Sequence, residues 1–481
     1  MRMLTIATVF TAIFALTGLA QPPKVDVHDW EVPPFGERGT DPVTEVLFCF
    51  DTEDFTNPRS ADGAKELAEL FTSEGITAHF VMVGYFARAL VERGRYDVIE
   101  ALKPHLKLSH TLMHSVHPNT SEASETPDLE DAFRVIRPRE TLAVGMVAGV
   151  TGADRIWGGC PPGSSESAAA YYTWAELGLP FYVGADYTYN TVGEDVWFCN
   201  LRQIPYGFNW EWFQDPANGF TPEKFLDWVA RRRRIIVYCH PNRVHAKTFW
   251  DLLNYHRGNN CEWGKWKISE ERSAEDVKSY LETIRTCLRR MKADPRFRIV
   301  TVAELDAAKK PRREIRRGDI PAIRASLQKA FGPVREPASW SISDCFVAAV
   351  RLLRGEESYL PALAYGFRTT PKGIKGSVTV RREDLVRAAR TMDVGRFLPT
   401  EIAVGNVKLG PADFLFAALE ALETEKDEIT VSPCEDQRGG FGPYPALKTL
   451  SLKDRWLFTK DFEDRYVSEA IRNQIWTLRY E

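Results

Sequence analysis

Cysteine is scarce in this sequence, and no two cysteines are closely paired. Eight cysteines are spread over 481 residues, and none of them forms a CxxC spacing. Small scaffolds held by disulfides are much denser in cysteine, and cysteine-based zinc sites need paired thiols. The sequence therefore excludes both classes, although it leaves open whether any cysteines pair in an oxidising compartment.

A surplus of positive charge is also missing. The chain has 62 Lys and Arg residues against 66 Asp and Glu residues, for a net charge of −4. Proteins that bind nucleic acid usually show a basic surplus, so no nucleic-acid partner is expected. Hydrophobic residues make up 44% of the chain, enough for a large core, and the length suggests two or three domains.

Long apolar runs are absent except at the N-terminus. Arg2 is followed by an apolar run from Leu4 to Leu19 and by small residues up to Ala20. This pattern is typical of a secretory signal peptide at residues 1–20, cleaved after Ala20. The alternative is a membrane anchor, but the run is shorter than the roughly 20 apolar residues that span a bilayer. We therefore expect a secreted or periplasmic protein without a transmembrane anchor after cleavage.

Three of the nine histidines lie within residues 109–118. His110 and His114 are four residues apart, so on a helical turn their imidazoles would lie on one face, about 5–6 Å apart at Cβ. Such a pair can hold a divalent metal ion that takes a carboxylate as third ligand and keeps one position open for water. The same spacing also fits solvated histidines in a polar loop.

Short apolar runs alternate with helical patterns between residues 43 and 308. This alternation predicts βαβ units and a parallel sheet, so the fold class is α/β. In such folds functional side chains gather where the strands end. Asp51, His110 and His240 each follow a predicted strand directly.

The order of these motifs resembles the polysaccharide deacetylase family, the NodB-homology group of carbohydrate esterase family 4. The likeness covers roughly residues 41–308. It rests on these stretches: Phe50-Asp51-Thr52-Glu53-Asp54, Ser109-His110-Thr111-Leu112-Met113-His114, Pro161-Pro162-Gly163-Ser164, Asp186, Val237-Tyr238-Cys239-His240-Pro241, and Thr301-Val302-Ala303-Glu304-Leu305, which resembles the closing strand of the family.

The resemblance implies a distorted (β/α) barrel with a divalent metal ion, usually zinc, that removes acetyl groups from N-acetylated or O-acetylated sugars. It implies that Asp51 is the general base and His240 the general acid, while the metal and a backbone N–H near Gly163 stabilise the oxyanion. The metal ligands would be His110, His114 and either Glu53 or Asp54, with a preference for Asp54 because its side chain is shorter. Further residues expected to contact the substrate or oxyanion are Pro162, Gly163, Ser164, Asp186 and Tyr238.

One departure from the family pattern and one ambiguity in the histidine motif leave alternatives open. The third motif of the family begins with an arginine that positions the base, and Gly159 stands at that place, with Arg155 the nearest substitute. His117 precedes Pro118, as the second histidine of the motif often does, so a shifted pair of His114 and His117 is an alternative.

The aromatic residues at 187–213 fit a core, but Trp197, Trp210 or Trp212 would suit a sugar platform if exposed.

Beyond the barrel, assigned to residues 43–308, the sequence is less informative. Residues 21–42 are expected to form an N-terminal arm, and the cationic stretch 309–338 a linker. A smaller, mainly helical accessory domain is expected at 339–425. Its segments around Val380–Ala389, Phe397–Val404 and Gly410–Leu415 resemble a pseudomurein-binding repeat, which implies a cell-wall partner. No role is assigned to residues 426–481.

The sequence thus predicts a secreted, metal-dependent deacetylase, with Zn²⁺ or another divalent transition metal, acting on acetylated cell-wall or extracellular polysaccharide. A carbohydrate-binding protein that keeps the fold without catalysis is the first alternative, favoured by the absent arginine. A related hydrolase of non-peptide C–N bonds in small molecules is the second, and the export signal argues against it.

Overall fold

The computed structural model describes residues 43–185, 195–215, 218–439, 445–453, 456–459 and 461–481. The predicted signal peptide and N-terminal arm lie outside these residues, as does Asp186. No helix in this part of the chain is long and apolar enough to cross a bilayer. All eight cysteines are among the described residues, and each is a free thiol.

A closed barrel of seven parallel strands forms the centre of the protein. Successive strands pair in the order β1-β2-β3-β4-β5-β7-β8, and β8 pairs again with β1. This closure confirms the predicted (β/α) barrel. The strands of this part of the chain are β1 Thr44–Thr52, β2 His79–Met82, β3 Leu106–Ser109, β4 Ile156–Gly159, β5 Phe181–Ala185, β6 Val196–Phe198, β7 Leu201–Asn209, β8 Arg234–Cys239 and β9 Phe297–Ile299.

Helices surround the barrel, and most follow the predicted alternation. One expectation was wrong: Thr301–Leu305, which resembled a closing strand, begins a helix, because Thr301 and Glu304 form a capping box. The helices are α1 Arg59–Ser73, α2 Gly84–Glu92, α3 Tyr96–Leu102, α4 Thr120–Ala123, α5 Leu129–Thr151, α6 Ala168–Glu176, α7 Pro222–Val229, α8 Asn242–His245, α9 Trp250–Asn254, α10 Ala274–Ala293 and α11 Val302–Ala307.

Two apolar layers follow from the alternation of side chains along β1. Val46, Phe48 and Phe50 belong to the large core that also contains the apolar residues of α1. Leu47 and Cys49 belong to a smaller cluster with Val81, Leu108 and Ile236 inside the barrel. Because successive strand residues point to opposite faces, Asp51 continues the inner row and lies at the end of the barrel lumen.

The C-terminal third contains short helices and two-stranded sheets. Its last strand, β16 (Arg479–Tyr480), pairs with β6 and so joins the main sheet. Tyr365 stacks on Tyr172 of α6 at 4.9 Å between ring centroids, so this region also contacts the outside of the barrel. Its elements are β10 Ile315–Arg316, α12 Ile320–Lys329, α13 Ile342–Leu353, β11 Ser358–Tyr359, β12 Val378–Arg381, α14 Arg382–Thr391, β13 Ile402–Val404, β14 Val407–Leu409, α15 Pro411–Glu423, β15 Glu428–Val431, α16 Pro445–Lys448, α17 Arg465–Arg472 and β16 Arg479–Tyr480.

Candidate metal centre

Glu53 lies between the two histidines at the mouth of the barrel. Its Oε2 atom is 3.2 Å from Nε2 of His110 and 2.6 Å from Nε2 of His114. All three side chains are buried, and their nearest ligand atoms lie within 4.8 Å of one another. One carboxylate and two imidazoles form a donor set that suits a divalent transition metal, so these residues fit the predicted ion.

The second ring nitrogen of each histidine has its own partner. Nδ1 of His110 donates to the carbonyl oxygen of Cys160 at 3.0 Å. Nδ1 of His114 is 2.6 Å from the Ser115 hydroxyl, which in turn donates to Asp251 at 3.0 Å. These contacts fix both rings with Nε2 toward Glu53, as outer hydrogen bonds commonly do at metal sites.

The predicted helical turn is wrong, although the two imidazoles do meet. Residues 111–115 form consecutive turns that follow β3, and Thr111 and His114 have positive φ angles of 63° and 53°. The ring centroids of His110 and His114 are 4.8 Å apart. A left-handed backbone therefore produces the convergence that a helix was expected to produce.

The preference for Asp54 over Glu53 is also corrected. Oδ1 of Asp54 accepts hydrogen bonds from the backbone N–H groups of Thr56 and Asn57, and Oδ2 accepts one from Ser60. Asp54 therefore organises the turn that leads into α1 and does not face the histidines. Glu53 is two residues after Asp51, so its side chain points to the same side of the chain. It is longer than the Asp54 side chain and reaches both imidazole rings.

The shifted pair of His114 and His117 does not form. Nδ1 of His117 contacts the Glu122 carboxylate at 2.7 Å, and Nε2 is 3.2 Å from the carbonyl oxygen of Tyr255. Both ring nitrogens are thus used in the turn before α4. His117 therefore holds this turn in place and does not contact the candidate metal centre.

His240 follows β8 and faces Asp51 across the barrel mouth. Its Nδ1 lies 2.5 Å from Oε1 of Glu211, and its Nε2 lies 3.7 Å from Oδ2 of Asp51. Burial by itself lowers the pKa of His240, but Glu211, Glu53 and Asp51 together raise it to about 9. The ring is therefore protonated near neutral pH and has a proton to donate.

Asp51 is held by a tyrosine. The hydroxyl of Tyr206, on β7, donates to Oδ1 of Asp51, and the Tyr206 ring stacks on Tyr238 at 4.3 Å. Burial raises the pKa of Asp51, while His110, His240 and the Tyr206 hydrogen bond oppose that rise. Tyr238, predicted to contact substrate, thus supports the residue that orients Asp51.

Gly159 does not occupy the place from which an arginine could reach Asp51. A Cβ atom there would lie 2.2 Å from the Trp174 ring, on the outer side of the barrel. The next residue, Cys160, belongs to the inner cluster, and its Sγ lies 3.5 Å from the Tyr206 hydroxyl. Arg155 does not substitute, because it pairs with Asp306 and lies over the Trp157 ring.

The turn after β4 reaches the rim but meets the C-terminal segment there. Pro162 begins a short 3-10 helix, Pro162–Ser164, and Gly163 has a φ of 50°. The Trp456 ring lies 3.0 Å from the position of a Cβ atom on Gly163. Backbone N–H groups of Arg257 and Gly258 donate to the carbonyls of Trp456 and Leu457. Part of the segment without an assigned role thus lines this rim.

The expected sugar platforms are mostly internal. Trp210 is fully buried against Phe48, and Trp197 is also buried. Trp212 is partly buried and stacks on Phe220 at 5.7 Å. An exposed tryptophan lies elsewhere, at Trp263.

Sequence reasoning missed several residues that complete the centre. Each of these contacts one of the converging side chains: Glu211, Tyr206, Ser115, Trp250 and Asp251. Tyr206 and Glu211 lie in the aromatic-rich stretch after β6, where their register was not readable. Trp250 and Asp251 follow the last motif, and no local pattern marks them.

No family model and no curated protein matches this chain. Solved structures do match, among them a protein from Mycobacterium smegmatis named as a polysaccharide deacetylase, which is 13% identical with a TM-score of 0.36 over 56% of this chain and 90% of that chain. A family 4 carbohydrate esterase from Streptomyces lividans is 10% identical, with a TM-score of 0.29 over 54% and 91% of the two chains. A pseudoenzyme of the same esterase family from Bacillus anthracis is 14% identical, with a TM-score of 0.27 over 41% and 55%.

By their names, these three structures belong to the family that the motifs resemble. Their sequence identities and TM-scores are too low to indicate the chemistry of this chain. Its barrel is established by its own strand pairing, and its candidate centre by its own side chains.

Proposed function

We propose that this protein is a secreted, metal-dependent deacetylase that hydrolyses acetyl groups from N-acetylated, or O-acetylated, cell-wall or extracellular polysaccharide. The convergence of Glu53, His110 and His114 beside Asp51 and His240 carries the proposal. The apolar N-terminal run supports export. Zn²⁺ is the favoured ion, because two imidazoles and a carboxylate are common zinc ligands.

Glu53, His110 and His114 would hold the ion. When bound, such an ion supplies Lewis-acid polarisation of a carbonyl and makes water a nucleophile near neutral pH. Asp51 would accept the proton of the attacking water, since Tyr206 holds its Oδ1 atom and leaves Oδ2 on the side of His240.

His240 would act as the general acid. Glu211 accepts a hydrogen bond from Nδ1–H of His240, and Nε2 of the same ring lies on the side of Asp51. The raised pKa keeps a proton available for the departing amine or alcohol of the sugar. Asp51 and His240 therefore have opposite proton roles in one reaction, which is the pairing that acyl hydrolysis requires.

The test is acetate release by the full chain purified without chelator. We expect about one transition-metal ion per chain and acetate release from polymers of N-acetylglucosamine. Asp51→Asn should keep the metal and lose activity by at least about a hundredfold, the usual scale of a lost general base. A wild-type protein that binds glycan but releases no acetate from any acetylated polymer would favour the non-catalytic carbohydrate-binding alternative.

A further inference from the structure

Residues 259–268 form a rim loop that presents Trp263 to solvent. The side chain of Trp263 is 56% exposed, and it is the one tryptophan among the exposed large apolar side chains of the described residues. The loop follows α9 and a short 3-10 helix, His256–Gly258. Because burial of a large aromatic ring is favourable, a ring left this exposed at a rim has surface available for a ligand.

Asn254, at the end of α9, anchors both ends of this loop. Its carbonyl oxygen accepts the N–H of Cys261 at 3.2 Å. Its side chain accepts the N–H of Lys267 at 2.9 Å and donates to the Lys267 carbonyl at 3.1 Å. Trp266 adds a hydrogen bond from Nε1 to the Tyr255 hydroxyl at 2.9 Å. The loop tip is thus fixed by contacts at its base.

Three aromatic rings hold the Trp263 ring in place. Phe55 stacks on it with a centroid distance of 5.8 Å and an interplanar angle of 23°. Trp266 and Tyr85 meet it edge-on at 4.9 Å and 5.4 Å. One side of Trp263 is therefore supported, and a ligand that stacks on the exposed side does not have to order the ring first.

The same rings connect Trp263 to the candidate centre. Phe55 lies 5.4 Å from the Trp250 ring, and Nε1 of Trp250 donates to Oε1 of Glu53 at 2.9 Å. Phe55 also follows Glu53 by two residues, in the segment directly after β1. Trp263 therefore lies on the same end of the barrel as Glu53, His110 and His114, outside the buried cluster.

We infer that Trp263 is a sugar-stacking platform that binds a pyranose ring of the polysaccharide away from the sugar that carries the reacting acetyl group. This inference rests on the proposed function and adds a second contact to it. Apolar sugar C–H groups pack on aromatic faces, whereas hydroxyl groups need polar surroundings. The exposed residues Glu262 and Lys265 flank Trp263 and supply polar groups, which suits a glycan better than a wide apolar partner.

The experiment compares a long and a short substrate in the full chain. The long substrate is the β-1,4-linked hexamer of N-acetylglucosamine, and the short one is 4-nitrophenyl acetate. Trp263→Ala should raise KM for the hexamer about tenfold, the loss expected for one well-packed aromatic contact. It should leave 4-nitrophenyl acetate hydrolysis within about twofold, because uniform binding to a remote ring does not change the chemical step. Trp263→Phe should recover most of the hexamer affinity.

Leu360→Ala is the matched control, because Leu360 is 62% exposed and lies in the C-terminal region. Leu360→Ala should change neither KM for the hexamer nor the rate of 4-nitrophenyl acetate hydrolysis. An unchanged KM for the hexamer in Trp263→Ala, with active wild-type protein, overturns the platform and leaves the deacetylase proposal intact.

Calorimetry with the hexamer separates the two proposals further. If the wild type releases no acetate but binds the hexamer, and Trp263→Ala weakens that binding about tenfold, the platform stands and the catalytic proposal fails. If the wild type shows no binding of the hexamer, the platform is overturned.

Discussion

The hydroxyl of Tyr206 donates a hydrogen bond to Oδ1 of Asp51. In the proposed deacetylase this contact would orient Asp51, the role that the resemblance gives to an arginine at the position of Gly159, and it comes from β7 instead of the end of β4. The absent arginine was the main sequence argument for a non-catalytic protein. A neutral donor in contact with Asp51 weakens that argument, because it holds one carboxylate oxygen and leaves the other available for the proposed reaction.

Replacing Tyr206 with Phe tests this role. The ring should keep its stacking on Tyr238, so the main loss is the hydrogen bond to the Asp51 carboxylate, together with a weaker contact to Sγ of Cys160. Such a bond contributes about 1.5–3 kcal/mol, so kcat for acetate release should fall roughly ten- to hundredfold with little change in KM or metal content. Full kcat in Tyr206→Phe would show that Asp51 is oriented by other groups.

Glu53→Gln and Asp54→Asn distinguish the two neighbouring acids. Glu53→Gln should abolish stoichiometric metal binding, because it removes the carboxylate that lies between the two imidazoles. Asp54→Asn should retain the metal and lower thermal stability, since Asp54 accepts hydrogen bonds at the turn before α1. Metal analysis of both purified variants is the measurement, and the reverse pattern would restore Asp54 as the ligand.

Asp251→Asn tests whether the Ser115 link positions His114. Outer hydrogen-bond partners of ligating histidines typically affect metal affinity by about 10–100-fold, so zinc affinity should fall by that order. Leu252→Ala is the control, because Leu252 is an exposed neighbour on the same helix. Competition with a chelator of known affinity measures both variants. Equal affinities in Asp251→Asn and the wild type would assign Asp251 a purely structural role.

Gly159→Ala should destabilise the fold. The added methyl group would overlap the Trp174 ring, and overpacking of this kind costs about 1–3 kcal/mol. Gly149→Ala, in α5 where an added Cβ meets no neighbouring atom, should instead be neutral or stabilising by up to about 1 kcal/mol. Chemical denaturation of both variants gives the comparison, and a stable Gly159→Ala would contradict the packing described.

Glu140 gives a pH-dependent prediction away from the centre. Burial raises its pKa to about 7, although Trp174 donates to its Oε2. Between about pH 4.5 and 7 the folded state therefore keeps a proton that the unfolded state has lost, so stability decreases as pH rises through this range. Above about pH 7 the burial of the ionised Glu140 carboxylate lowers the free energy of unfolding by its full amount, about 3 kcal/mol.

Glu140→Gln removes this penalty and still accepts the Trp174 hydrogen bond. The gain in free energy of unfolding over the wild type should therefore be small at pH 4.5 and largest at pH 8. Urea denaturation at several pH values measures it. A gain that does not change with pH would mean that Glu140 titrates normally.

The sequence alone determined much of the strand and helix order of the barrel, although β7, in the aromatic-rich stretch, was not predicted. Val46–Phe50 and Ile235–Cys239 predicted buried parallel strands, because a strand covered on both faces needs continuous apolar residues. Asp51, His110 and His240 could be placed at strand ends because each directly follows such an apolar run. These signals are local, so a single sequence carries them.

Tertiary structure alone decided which side chains meet. The choice of Glu53 over Asp54 depends on strand parity and on the hydrogen bonds of the following turn, and the approach of His114 depends on a left-handed turn. Tyr206, Glu211, Trp250 and Asp251 reach the centre from segments up to about 200 residues away from Asp51 in the chain. Barrel closure brings them together, and no local pattern encodes a contact that exists only after distant strands have paired.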